Sequence, residues 1–210
     1  MRRFSILSGV LLALAGTAFA QTDPATLPAH DRHEGMLVAA DPCSDAPRAK
    51  VRFGKATPIP VGIVPIEVFF RNETQQPLRI NLATIRLEIS PAGGQRQHIE
   101  PLDASEVALL IAHPGGTPNP ESRQSRFPRR IPLPSNDKKA KDLESILRPL
   151  SLDADVIPPA ATVHGFLFFD VSHDFSILSS ASLYLPDVKI IPGNHALTYF
   201  EVDLRSAIHQ

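Results

Sequence analysis

Drawn as a strand, residues 163–171 (VHGFLFFDV) are apolar on both faces. Successive side chains point to opposite sides of a sheet, so Val163, Gly165, Leu167, Phe169 and Val171 share one face and His164, Phe166, Phe168 and Asp170 the other. A sheet with one wet face would leave Phe166 and Phe168 in water. The segment therefore demands cover on both sides. The available cover is two apolar helical stripes elsewhere in the chain: Val107, Leu110 and Ile111, and Leu143, Ile146 and Leu147. The polar residues framing the run do not form one site, because His164 and Asp170 lie roughly 20 Å apart along an extended strand. His173 and Asp174 fall beyond it, in a turn.

Period-two alternation recurs along the chain. In residues 62–72 (GIVPIEVFFRN), Val64, Ile66, Val68 and Phe70 share a face, opposed by Ile63, Pro65, Glu67, Phe69 and Arg71. Leu78, Ile80 and Leu82 follow, then Ile85, Leu87 and Ile89, then Ala181–Ile191 broken at Pro186, and a last strand alternating Thr198, Phe200, Val202 and Leu204. Met36–Ala40 reads as a short first strand. A short helix capped by Ser44 precedes Gly54. Asp103 and Glu106 have capping-box spacing ahead of a helix over 104–112, and a second helix over 137–148 takes Ser135 or Asn136 as its cap. The 21 prolines and the absence of Trp fit many short segments. The expected fold is mainly β: six to eight strands in an antiparallel immunoglobulin-like sandwich with a short two-helix insertion at 103–150. Residues 58–210 form that domain, and residues 21–57 a lead-in with a short strand and helix, of which 21–35 are expected to be mobile.

Met1-Arg2-Arg3, the apolar run at 6–16 and Ala18-Phe19-Ala20 follow the order of a secretory signal peptide cleaved after Ala20. The expected location is secreted or periplasmic, in a bacterium, with no transmembrane anchor after cleavage. Losing Arg2 and Arg3 from the 21 Lys+Arg leaves 19 against 22 Asp+Glu, a balance that does not suggest a nucleic-acid binder. A single cysteine, Cys43, rules out an intrachain disulfide and a multi-thiolate zinc site, and leaves pairing between chains as the one disulfide open to it.

Catalytic motifs are missing. There is no Gly-x-Ser-x-Gly elbow, and Ser135-Asn136-Asp137-Lys138 has Ser-x-x-Lys spacing without its companion motifs. Without Trp, sugar stacking is disfavoured. His30-Asp31-Arg32-His33-Glu34 is the densest group of ligand-type residues, so His30 and His33 are the candidate Cu or Zn ligands, with Met36 and Cys43 nearby as soft donors. Arg126, Arg129 and Arg130, preceded by Arg123 and followed by Lys138, Lys139 and Lys141, form the one local charge asymmetry and the candidate contact for an anionic partner. Asn72-Glu73-Thr74 matches a glycosylation sequon and reads first as turn chemistry.

The order FFRNET, PLRINL, IRLEIS and PPAATVHGFLFFD resembles the secreted bacterial immunoglobulin-like sandwiches of the telokin-like class, over about half the chain. That resemblance implies a fold and an extracytoplasmic setting, and carries no catalytic residues. The reading is a non-enzymatic binding or structural module without a cofactor, whose partner is a protein or an anionic envelope component. The alternatives are a periplasmic Cu/Zn-binding protein using the histidine cluster and, behind it, a hydrolase.

Overall fold

A computed structural model describes residues 23–90, 94–114 and 137–208. The signal-peptide segment and Arg126, Arg129 and Arg130 lie outside these. In chain order the elements are β1 (His30–His33), β2 (Met36–Pro42), α1 (Ala46–Phe53), β3 (Ile63–Asn72), β4 (Leu78–Ile80), β5 (Arg86–Ile89), β6 (Gln97–Ile99), α2 (Ala104–Ala112), α3 (Lys138–Leu147), β7 (Val156–Ile157), β8 (Thr162–Asp170), β9 (Ala181–Leu185), β10 (Val188–Ile190), β11 (His195–Ala196), β12 (Phe200–Asp203) and α4 (Arg205–Ile208). The protein is mainly β. Its strands form three antiparallel four-stranded sheets, ordered β1-β2-β3-β8, β11-β10-β4-β7 and β12-β9-β5-β6. No helix among the described residues is long and apolar enough to cross a membrane.

The second and third sheets are successive halves of one bent ribbon. β4 pairs with β10 and β5 with β9, so the segment 78–89 runs antiparallel to 181–190 throughout. The bend falls where residues 81–85 face only 185–187, and the turn at Leu82–Thr84 takes up the excess. Pro186 removes a donor on the facing strand, and Asn81 ties the corner by donating its backbone N–H to the Asp187 carbonyl at 3.0 Å. Leu82, expected to continue the strand, belongs to this turn.

One large apolar core gathers the inward side chains of all three sheets. The face of β3 expected to point inward, Val64, Ile66, Val68 and Phe70, does so, as do Leu167, Phe169, Leu87, Leu183 and Val202. Pro65 is tolerated in a central strand because β2 has ended beside it. Pro42 is the last paired residue there, and Cys43 N–H donates to the Pro65 carbonyl at 2.8 Å.

The opposite face of the first sheet is covered by helices, as the two-faced run requires. Phe166 and Phe168 are buried with Val107, Ala108, Ala140, Leu143 and Leu147 of α2 and α3. A third helix completes the cover. Phe53 of α1 meets Phe166 edge-on at 4.8 Å between ring centroids and Phe168 at 5.9 Å. The buried line of α2 is mostly alanine, Ala104, Ala108 and Ala112 with Val107, while Leu110 and Ile111 are only partly covered. Small side chains let the helix backbone approach the sheet and α3 closely, so the larger residues move to its flank.

The insertion also closes the free edge of β8. Leu102, just before α2, donates its N–H to the Phe168 carbonyl at 2.8 Å, and Leu152, just after α3, donates to the Phe166 carbonyl at 3.0 Å. An otherwise exposed strand edge is thereby blocked against pairing with other chains.

Several boundaries differ from the sequence reading. The 21–35 lead-in is structured from Asp23 onward. His30–His33 is an edge strand paired with Met36–Ala39, and the turn Glu34-Gly35 has positive φ at both residues, 47° and 76°. That backbone is a two-residue hairpin turn of the kind that matches strand twist. The hairpin and the domain expected to begin at residue 58 share one sheet. Asp45, one residue beyond Ser44, caps α1 by accepting the Arg48 N–H at 2.9 Å. Asp137 caps α3 by accepting the Ala140 N–H at 2.9 Å. Both capping-box bonds of α2 form: Asp103 Oδ1 accepts from Glu106 N–H at 2.8 Å, and Glu106 Oε2 accepts from Asp103 N–H at 3.0 Å.

Candidate functional site

Beyond the helix-covered patch, the outer face of the first sheet carries a polar band. Glu67, 5% exposed, lies in register with Asp41 on one side and Phe166 on the other. Its Oε1 is 3.2 Å from His164 Nδ1, and its Oε2 is 3.5 Å from Arg52 Nη2. Asp41 takes both guanidinium nitrogens of Arg48, and this bond raises the Arg48 pKa. His164 stacks on its register partner Phe69 at 5.3 Å. Beyond it, Leu37, Ala39 and Phe69 form a second apolar patch under Leu27. The band surrounds one buried carboxylate with a guanidinium from α1 and an imidazole from β8. Burial pushes the Cys43 thiol upward, which disfavours the thiolate.

The histidine cluster takes a different form from a metal site. His30 and His33 are three residues apart on β1 and so face opposite sides of the sheet. His33 lies flat on Phe200, with centroids 3.9 Å apart and planes 9° from parallel. Asp31 sits 3.6 Å from its Nε2 and Glu34 3.4 Å from its Nδ1, on opposite sides of the ring. Both carboxylates also fasten the C-terminal strand: Asp31 accepts the Glu201 N–H at 3.0 Å and Glu34 the Thr198 N–H at 2.7 Å. Met36 and Cys43 are buried in different apolar clusters. No group of three or more His, Cys, Asp or Glu able to hold a metal ion occurs among the described residues. The cluster joins the edge of the first sheet to the edge of the third.

A concave site does lie on the helical layer. A groove of about 600 Å³ is lined by Ile111 of α2, by Lys138, Lys139, Asp142 and Leu143 of α3, and by Lys55 from the turn after α1. Ile111 and Leu143 share that lining with three lysines and one carboxylate. Lys139 is partly accounted for by the fold, since its Nζ donates to the Ala112 carbonyl at the end of α2, at 3.0 Å. The side chains of Lys55 and Lys138 are exposed and have no hydrogen bond or ion pair among the described residues. The first turn of α3 contains no acid, although the helix dipole favours acids there. The carboxylate of its cap, Asp137, is already engaged by the Ala140 N–H and by His113 Nε2 at 2.5 Å. That carboxylate, held below its ordinary pKa first by the Ala140 N–H, also faces Lys139, so the start of α3 brings a second negative group beside the lysines.

The sequence reading singled out Lys138 and Lys139 within the basic run, but not Lys55, whose position depends on how α1 packs against α3. Comparison with protein-family models, with curated proteins and with solved structures yields no match.

Proposed function

We propose that the protein is a non-enzymatic binding module that takes an anionic partner at the lysine-rimmed groove of its helical layer. The observation carrying this reading is a concavity whose lining joins Lys55, Lys138 and Lys139 to Ile111 and Leu143, set against the carboxylate of Asp142. In the same reading the three sheets belong to an immunoglobulin-like sandwich of the telokin-like class, supported by the shared inner core and by β8 (Thr162–Asp170), which ends in Phe169-Asp170. The chain works outside the cytoplasm, supported by the basic, apolar and small-x-small order of residues 1–20.

The test is retention of residues 21–210 on immobilised polyphosphate at low ionic strength, with and without K55E/K138E. Retention that falls with salt and drops sharply in the double variant is expected. Equal retention of both proteins, or none of either, would refute the reading. N-terminal sequencing of protein recovered from an envelope fraction should begin at Gln21.

A further inference from the structure

We propose that the edge strand β6 pairs antiparallel with β6 of a second copy of this chain, joining two four-stranded third sheets into one. This surface is separate from the groove and does not depend on the reading above. The other strands that end a sheet are already engaged or very short. Leu102 and Leu152 bond to the edge of β8, and Asn72 Nδ2 reaches the Ile157 carbonyl of β7 at 3.1 Å. The edges of β1 and β12 are tied together, with Asp31 and Glu34 accepting the N–H groups of Glu201 and Thr198. β11 has only two residues. β6 pairs with β5 on one side. An edge strand turns about half of its backbone groups away from its neighbour. Among the described residues, no hydrogen bond beyond those to β5 engages the backbone of residues 94–101.

The charges along this edge are complementary to themselves. His98 lies in register with Glu88, and Arg96 reaches the same Glu88 at 3.3 Å. Alternation then puts Arg96, His98 and Glu100 on the outer face of the third sheet, and Gln97 and Ile99 on the inner one, where Ile99 packs against the core. A twofold axis through His98 sets Arg96 opposite the second copy's Glu100, and Glu100 opposite the second copy's Arg96. It keeps inner face on inner face and lays the second copy's Gln97 beside Ile99. Glu100 is exposed and has no ion pair among the described residues, so the pairing supplies one. Centred on Gln97 or Ile99 instead, the pairing loses both Arg96–Glu100 contacts. A foreign strand would use the same backbone groups, but the chain itself meets both charges at once, which favours a second copy. The contact spans about five residues a side, well below a standard interface, so the dimer is weak and concentration-dependent.

The inference is tested by sedimentation equilibrium of residues 21–210 from about 5 µM to about 1 mM at low ionic strength. Expected is a monomer–dimer equilibrium with no larger species, because a twofold contact closes on itself. E100R sets like charges opposite each other on both sides of the axis and should weaken the dimer about tenfold. E100Q should show a smaller loss and guards against a structural effect of the charge reversal. His98→Cys brings two thiols together at the axis, within the span of a disulfide. Under native oxidation it should crosslink faster than K50C, a substitution at an exposed position of α1.

A monomer at every concentration would overturn the inference. So would a dimer indifferent to E100R, or His98→Cys crosslinking no faster than K50C. Species larger than the dimer would overturn it as well, since they require an open contact. A dimer lost in K55E/K138E and kept in E100R would move the interface to the helical layer and refute pairing through β6.

Discussion

Gly165 passes directly beneath Leu152: a Cβ placed on Gly165 would lie 2.7 Å from both the Cα and the backbone nitrogen of Leu152. The residue on β8 is thus held to hydrogen by the backbone returning from the helical insertion, at the point where that backbone bonds to the strand edge.

Gly165→Ala is accordingly expected to destabilise by about 3 kcal/mol, since the obstacle is backbone and cannot rotate away. Amide exchange at Leu152 and Ser151 should quicken more than at β2 or β9. A change below about 0.5 kcal/mol in denaturant unfolding would show that the insertion's exit can shift freely.

Asn72 is fully buried and its amide is saturated. Nδ2 lies 2.7 Å from the Gln76 carbonyl and 3.1 Å from those of Ile157 and Pro158, while Oδ1 accepts both the Thr74 N–H and its hydroxyl. The sequon is therefore a structural pin between the β3–β4 turn and the entry to β8. Asn72→Ala should cost about 3 kcal/mol by stranding these groups. Expression in a glycosylating host should leave folded protein unmodified at Asn72, checked by intact mass.

Phe53 meets Phe166 and Phe168 from α1, a helix read in the sequence only as part of a lead-in. Phe53→Ala should cost about 3–4 kcal/mol by removing a fully buried ring between two others. Val51→Ala, on the exposed side of the same helix, should change stability by less than about 0.5 kcal/mol. Chemical denaturation of the two variants provides the comparison.

These positions show what could be read from the chain alone. The two-faced run at 163–171 carried its own requirement for a second layer, and the capping box at Asp103 and Glu106 placed α2 to the residue. Period two located β3, β5 and β9, because their faces are uniformly apolar against mixed neighbours. It failed for β1, where His30–His33 has no apolar residue and its strand character comes entirely from pairing with β2. It also failed for β6, β7 and β11, which are two or three residues long and exist only because a partner strand is present. The alanine face of α2 was hidden for a related reason: apolar size suggested Leu110 and Ile111, whereas close helix approach selects the small residues. Of the groove, Lys138 and Lys139 were visible as charge, but Lys55 joins them only through tertiary packing.

Acid should loosen the joint between the hairpin and the C-terminal strand. The Thr198 N–H bonded to Glu34 holds that carboxyl below its ordinary value of 4.5. A carboxyl with a depressed folded pKa stabilises the fold above its unfolded value and loses that contribution as pH falls through the folded one. Thr198 amide exchange should therefore rise relative to Leu183 as pH drops below about 4.5, after correction for intrinsic exchange. Glu34→Gln should flatten that dependence; an unchanged profile in the variant would mean another group governs the joint.

Cys43 should be inert in the folded protein. Its side chain is 1% exposed among Ala49, Phe53 and Ala56, and burial raises its pKa, so both access and thiolate fraction are low. Reaction with an aromatic disulfide reagent should proceed only as fast as the α1 region opens, and speed up in Phe53→Ala. Pairing between chains would require the same opening. Disulfide-linked dimers should therefore appear on oxidation in denaturant and not under native conditions, as read on non-reducing gels. Rapid native-state labelling at the rate of a free thiol would show that α1 does not seal the cysteine.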